Sequence, residues 1–279
     1  MTPLETTPKI IYGTAWKKTE TAALVATAIR QGFRAVDTAC QPKHYDEAGV
    51  GTGVAACLAQ GIRRADLYLQ TKFTPPSGHA PNAIPYDPKA PVAEQVAQSA
   101  RASLRNLQTD YLDCLVLHSP LPGPKQTLEV WRAMESLVDE GRVRALGISN
   151  CYELGQLETL TGSARLRPGV VQNRFYAETA YDVEIRAFCR AQGMVYQSFW
   201  TLTANPHLLA DAAITALAAK YERSAAQILF RYLTQQGVVP LTGTRSQTHM
   251  REDLAIFEFE LGAHEIGTLD AIVERPYRG

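Results

Sequence analysis

The 279-residue sequence predicts an α/β fold built as a single (β/α)8 TIM barrel, with parallel strands and an extra helix at the carboxyl end. The first observation is eight short apolar runs rich in β-branched residues, each followed by a segment of helical periodicity. The second is the strict alternation of the two, which implies right-handed βαβ crossovers and a parallel sheet. The third is that Asp37, Tyr45, Lys72 and His118 fall at or just past the ends of successive runs. Residues at the carboxyl ends of different strands converge on one point when the strands close into a parallel barrel.

In chain order the strand runs are KIIYGT (9–14), FRAVDT (33–38), LYLQTKF (67–73), LDCLVLHS (112–119), VRALGIS (143–149), GVVQN (169–173), VYQSFW (195–200) and GVVPLT (237–242). The intervening helical segments cover 20–31, 46–60, 92–107, 126–140, 153–160, 180–192, 208–220 with 224–236, and 246–254. A last helix near 263–274 packs outside the barrel. One domain therefore spans 1–279, a length that α/β barrels reach as a single unit.

The glycines of GVGTGVAA (49–56) invite a doubly wound dinucleotide-binding reading. That reading needs glycine or alanine where Val54 stands and a strand immediately before the cluster, so we read Gly49, Gly51 and Gly53 as allowing a helix close against the barrel. One insertion stands out, TPPSGHAPNAIPYDPKAP (74–91), a Pro- and Gly-rich rim loop after the third strand. Its place on the rim suits a substrate wall or lid.

Composition excludes several classes. With 28 basic and 28 acidic side chains the net charge is zero, which leaves no footprint for nucleic acid or an anionic membrane. Cys40, Cys57, Cys114, Cys151 and Cys189 are widely spaced, lack a C-x-x-C pair, and read as reduced residues with no metal site. The start, MTPLETTPKI, has neither a basic nor an apolar leader segment, and no run reaches membrane-spanning length. The expectation is a cytoplasmic protein.

The polar residues at the rim suggest proton chemistry. A tyrosine phenol ionises near ~10. A nearby ammonium from Lys72 is expected to favour the phenolate, with Asp37 pairing Lys72 to hold it in place. Tyr45 then protonates a carbonyl oxygen while hydride reaches carbon, and His118 donates a hydrogen bond to the same oxygen. Nothing in the chain supplies hydride, so a cofactor must.

In order and spacing, GTAWK (13–17), FRAVDTA (33–39), QTKF (70–73), LVLHSP (115–120), GISN (147–150) and VVQNRFY (170–176) resemble the signatures of the aldo-keto reductases. The resemblance covers essentially the whole chain. It implies a (β/α)8 barrel that reduces the carbonyl of an aldehyde or ketone with NADPH, and it supports Asp37, Tyr45, Lys72 and His118 as the catalytic set. About two extra residues lie in DTACQPKHYDEAGVG, so counting back from the E-x-x-V-G tail reaches His44, while the chemistry favours Tyr45. We take Tyr45, with His44 as the alternative.

The resemblance also implies a cofactor site. Ser149, Asn150 and Gln172 match the positions that hold the nicotinamide carboxamide, and Phe199 matches the ring that stacks on it. Thr14, Ala15, Trp200, Leu202, Thr242 and Met250 join the implied set. LTGTRSQTHMRED (241–253) aligns with the family's phosphate clamp, but Gly243 stands where a lysine is usual and His249 where an arginine is usual. Thr244, Glu252 and Asp253 keep compatible chemistry, the Gly243 and Thr244 amides open a helix, and Arg245 is the candidate replacement cation for a 2′-phosphate. NADPH is favoured, with NADH possible.

Trp16, Phe73, Tyr86 and Trp200 are expected to line an aromatic substrate pocket, opened by Ser119 where many relatives carry tryptophan. The partner is a small-molecule carbonyl, and the protein is expected to be a monomer or weak homodimer. Two alternatives to a carbonyl reductase remain at this level, a non-catalytic NADP(H)-binding regulatory subunit and a reductase of a C=N bond.

Overall fold

A computed structural model describes residues 8–273; the first seven residues of MTPLETTPKI and residue 274, the expected end of the last helix, lie outside the described residues. Eight parallel strands close a barrel in the order β1 to β8: Ile11–Gly13, Ala35–Asp37, Tyr68–Phe73, Cys114–Leu117, Leu146–Ser149, Val170–Arg174, Val195–Phe199 and Val238–Thr242. Closure comes from β1 pairing with β8, with Ile11 opposite Leu241 and Tyr12 opposite Thr242. Seven of the eight predicted runs contain their strand whole, and β6 extends one residue past the predicted 169–173, to Arg174.

Around them lie α1 (Thr21–Gln31), α2 (Glu47–Leu58), α3 (Val92–Leu107), α4 (Pro124–Asp139), α5 (Leu154–Ser163), α6 (Val183–Gln192), α7 (Ala212–Tyr221), α8 (Ala225–Gln235) and α9 (Gln247–Leu254). A final helix α10 (Ala263–Val273) is tied to α7 through Glu265, which accepts from Lys220 and from Tyr221. Ser224 and Gln227 cap the start of α8 reciprocally, satisfying donors that a helix N-terminus otherwise leaves open.

Side-chain alternation along the strands sorts the barrel into two cores. Ile11, Ala35, Tyr68, Cys114, Val116, Val170, Val195 and Val239 plug the lumen. Their strand neighbours, among them Tyr12, Val36, Leu69, Leu115 and Val171, face the helices. Two residues further along several strands, the lumen-facing positions turn polar: Asp37 follows Ala35, Gln70 and Lys72 follow Tyr68, Gln172 follows Val170 and Gln197 follows Val195. The apolar plug thus ends in a polar layer at the carboxyl ends of the strands, and that layer is the floor of the site.

The glycines of α2 serve a different contact from the one expected. A Cβ on Gly51 would collide with the Asn106 carbonyl at the end of α3, and one on Gly53 would lie 2.5 Å from the Ala22 carbonyl of α1. They let α2 nest between its two neighbouring helices, because the helix layer is as crowded laterally as it is against the sheet.

The 74–91 segment is fastened at its base. Tyr86 Oη and His79 Nε2 both lie within hydrogen-bonding distance of the Thr74 carbonyl, at 2.6 and 3.0 Å, and Gln41 Nε2 donates to the Gly78 carbonyl at 2.7 Å. All five cysteines are buried and unpaired. Among the described residues no helix is long and apolar enough to cross a membrane, and no cluster suits a metal ion.

Candidate active site

A cavity of about 980 Å³ opens at the carboxyl ends of the strands. On its wall are Asp37, Tyr45, Lys72 and His118, drawn from β2, the β2–α2 loop, β3 and the end of β4. Lys72 is only 1% exposed and donates to both carboxylate oxygens of Asp37, at 2.7 and 2.6 Å, and to the Thr38 carbonyl at 2.8 Å. An ammonium has three protons, so its donors are fully used. Asp37 also accepts from the amides of Gln70 and Gln172, at 2.8 and 3.0 Å, and both amides donate to Gln197 Oε1.

Above this pair stands Tyr45. Lys72 Nζ lies 5.3 Å from the centre of its ring, and the His118 ring meets it edge-on at 6.1 Å. Burial, reinforced by the Asp37 carboxylate, pushes the Tyr45 phenol above its ordinary value. At rest the expected pull of Lys72 toward the phenolate is offset, because Asp37 neutralises the ammonium at contact distance and burial favours the neutral phenol. Tyr45 is therefore held as the neutral phenol.

His44 points elsewhere. Its ring lies 4.1 Å from that of Trp16, and its carbonyl accepts the Trp16 N–H at 2.7 Å. It lines the cavity at the rim, its ring tilted against an indole, while Tyr45 faces the ion pair.

His118 Nδ1 lies 2.7 Å from Thr74 Oγ1. With the hydroxyl donating there, the ring carries its proton on Nε2. Burial, followed by the Lys72 charge, pushes its pKa down to about 3. Between that value and the ordinary 6.5 the unfolded chain binds the extra proton and the folded chain does not, so this histidine lowers stability as pH falls through the window. Asp253, raised to about 6 by burial, acts with the opposite sign between 3.8 and 6. Thermal unfolding of His118→Gln against the parent isolates the first effect: the parent is expected to lose more stability than the variant between pH 6.5 and 4, and parallel curves would show His118 to be protonated in the fold.

On the β5–β6 side, Ser149 Oγ donates to the Gln172 carbonyl at 2.6 Å and Asn150 Nδ2 to the His118 carbonyl at 2.8 Å. Trp16, Asn150 and Trp200, at the ends of β1, β5 and β7, have positive φ of 62°, 53° and 56°. Left-handed backbone is costly for such residues and gathers at working sites. Ala15, Phe199, Leu202, Thr242, Gly243, Thr244, Arg245, Glu252 and Asp253 line the cavity, as do the proposed substrate residues Trp16, Ser119 and Trp200.

Four expected residues do not line it. Thr14 is fully buried and its hydroxyl donates to the Asp37 carbonyl at 2.9 Å, so it braces β2. Met250 is also fully buried and packs into the outer core from α9. Phe73 follows the lumen-facing Lys72 and so points outward under the helices, where Tyr86 stacks on it with ring centres 5.5 Å apart.

At the β8 end, Arg245 is committed to neighbours: it pairs with Glu20 and donates to the Trp16 carbonyl at 2.8 Å. It bridges two loops instead of presenting a lone cation. The cation at this place is Lys17, only 4% exposed, whose Nζ donates to the Gly243 carbonyl. A Cβ on Gly243 would lie 3.5 Å from that Nζ, so the ammonium from the loop after β1 stands beside the position where the usual lysine is missing. Burial and the Arg245 charge lower its pKa to about 8. Its signal was present in GTAWK, where a lysine lies in the loop that leaves the first strand, but a lone lysine in a loop ordinarily faces water.

The model of the aldo/keto reductase family matches residues 9–274. An uncharacterized oxidoreductase of Bacillus subtilis, YtbE, is 32% identical over 90% of this chain and 82% of its own length. Glyoxal reductase of the same organism is 31% identical over 91% and 83%. Among solved structures, an aldo-keto reductase from a deep-sea Medee basin metagenome library superposes with a TM-score of 0.83, covering 98% of this chain and 93% of that one at 23% identity, a likeness of fold.

Proposed function

The chain belongs to the aldo/keto reductase family, and from that premise we propose that it is an NADPH-dependent reductase of aldehydes or ketones with Tyr45 as the acid. One observation carries the reading: the Tyr45 ring stands over a fully paired Asp37–Lys72 couple with the His118 ring at its edge, on the floor of a large cavity.

The cofactor, when bound, supplies the hydride. Tyr45 gives its proton to the carbonyl oxygen and becomes phenolate. Lys72, over whose ammonium the ring sits, stabilises that new charge, and Asp37 keeps the ammonium in place. His118 donates from Nε2 to the same oxygen, its tautomer set by Thr74. Since its pKa lies near 3, it orients the carbonyl and does not compete as an acid near neutrality.

The residues present fit a nicotinamide dinucleotide. Ser149, Asn150 and Gln172 line the cavity with polar groups that would hold the carboxamide, and Phe199 offers the flat face that would support the ring. Lys17, with the Gly243 and Thr244 amides, takes a phosphate, and its buried ammonium has no carboxylate within 4.0 Å among the described residues. A dianionic 2′-phosphate beside that ammonium favours NADPH over NADH. The reading is tested by nicotinamide absorbance with a panel of aldehydes and ketones, and by fluorescence titration of both cofactors. Lys17→Met is expected to weaken NADPH about tenfold or more, the size of a lost charged hydrogen bond, and NADH less. Absence of turnover across the panel overturns the reductase reading; equal weakening of both cofactors overturns the assignment of Lys17.

A further inference from the structure

Cations on the wall of the cavity are accounted for with one exception. Lys72 is spent on Asp37, Arg245 on Glu20, and Lys17 rests on the Gly243 carbonyl. Arg174 has no carboxylate within 4.0 Å and no side-chain hydrogen bond among the described residues, and its Nε is buried without a partner. It ends β6 two residues beyond Gln172, so strand alternation turns both side chains to the same lumen-facing side, and both line the cavity.

Its guanidinium is nevertheless well placed. It lies 4.3 Å from the Trp200 ring centre and 5.0 Å from that of Tyr176. Stacking on aromatic faces fixes the plane of the fork and leaves its N–H edge for a ligand, the geometry in which arginine recognises carboxylate or phosphate. Trp200, 47% exposed and held at positive φ, forms the outer side of this stack.

We propose that Arg174 is an anion-binding residue of the carbonyl pocket, and that the preferred substrate is an aldehyde or ketone bearing a carboxylate or phosphate. The inference rests on the reductase reading above. The same chemistry is present in the diphosphate of the cofactor, but the features suited to phosphate, Lys17 and the amides opening α9, lie at β1 and β8. Arg174 pairs in register with Phe199 of β7, directly above Gln172 and the ion pair that Gln172 touches.

The test compares kcat/KM for benzaldehyde and 4-carboxybenzaldehyde in the full chain with NADPH, for the parent, Arg174→Leu, Arg174→Gln and Arg174→Lys. Fluorescence titration of NADPH, and calorimetry of terephthalate binding to the NADP+ complex, accompany it. The ratio favouring the carboxylated aldehyde is expected to fall about tenfold to a hundredfold in the Leu and Gln variants, mostly through KM, and to be partly kept by Lys, which retains charge without the fork. Terephthalate binding falls with it, and the NADPH dissociation constant stays within about threefold. An equal loss for both aldehydes overturns the proposal. So does a large rise in the NADPH dissociation constant with the aldehyde ratio unchanged, which assigns Arg174 to the diphosphate. If the parent reduces neither aldehyde, the reductase reading fails by itself, and terephthalate binding that depends on Arg174 still upholds the anion site. If the Leu variant does not fold, the Gln variant decides.

Discussion

Tyr45→Phe lowers kcat for carbonyl reduction by about 10² to 10⁴, the usual contribution of a positioned proton donor, while the NADPH dissociation constant is expected to hold. The substitution removes one oxygen from a half-buried ring and leaves the Lys72 and His118 contacts of that ring intact. The loss therefore falls on the chemical step. His44→Ala is the matched comparison, because His44 adjoins Tyr45 in sequence yet packs against Trp16. We expect it to cost less than about tenfold, and mainly in KM. Steady-state kinetics of the two variants check this. A Phe variant that retains most of its kcat, or an Ala variant that loses all of it, overturns the assignment of the acid and moves the extra residues of the β2–α2 loop to the other side of Tyr45.

Lys72→Met is expected to have the largest effect on stability. The ammonium and the carboxylate it pairs with are 1% and 3% exposed, so removing one charge strands the other. Breaking a buried pair in this way costs about 3–5 kcal/mol, seen as a lower urea midpoint with little change in slope. The double variant Asp37→Asn with Lys72→Met removes the stranded charge and should recover a large part of that loss. If the single variant is as stable as the parent, the buried pair does not carry the stability assigned to it. Activity does not return in the double variant, since nothing then stabilises the phenolate.

Much of this was legible in the chain, for stated reasons. The apolar runs fall where the strands lie because a strand buried on both faces has nothing polar to show until it reaches the rim, and α3 occupies the predicted 92–107. Asp37, Lys72 and His118 were legible because each breaks such a run at its end. What failed is what depends on neighbours distant in sequence. The crowding that requires Gly51 and Gly53 comes from helices on either side, not from the sheet. The resting state of the Tyr45 phenol depends on burial and on the Asp37 charge beside Lys72, which spacing alone does not weigh. Lys17 was missed because its burial arises from β8, more than 200 positions away in sequence. Phe73 could have been read correctly: if Lys72 faces the lumen, its neighbour cannot.

The amide layer beneath the ion pair has a consequence for how the barrel comes together. Gln70 on β3 and Gln197 on β7 exchange hydrogen bonds across the axis, at 2.8 and 3.0 Å, and Gln172 on β6 joins them to Asp37 on β2. These bonds stitch the first four strands to the last four through the lumen, independently of the strand edges. A half-barrel cut between β4 and β5 leaves its amides, and in the amino-terminal half the Asp37 carboxylate, without the partners that the other half provides. Closure is then what completes the catalytic floor: Asp37, Tyr45, Lys72 and His118 all come from the amino-terminal half, and the Gln172 and Gln197 amides that brace the ion pair from below arrive only with the other.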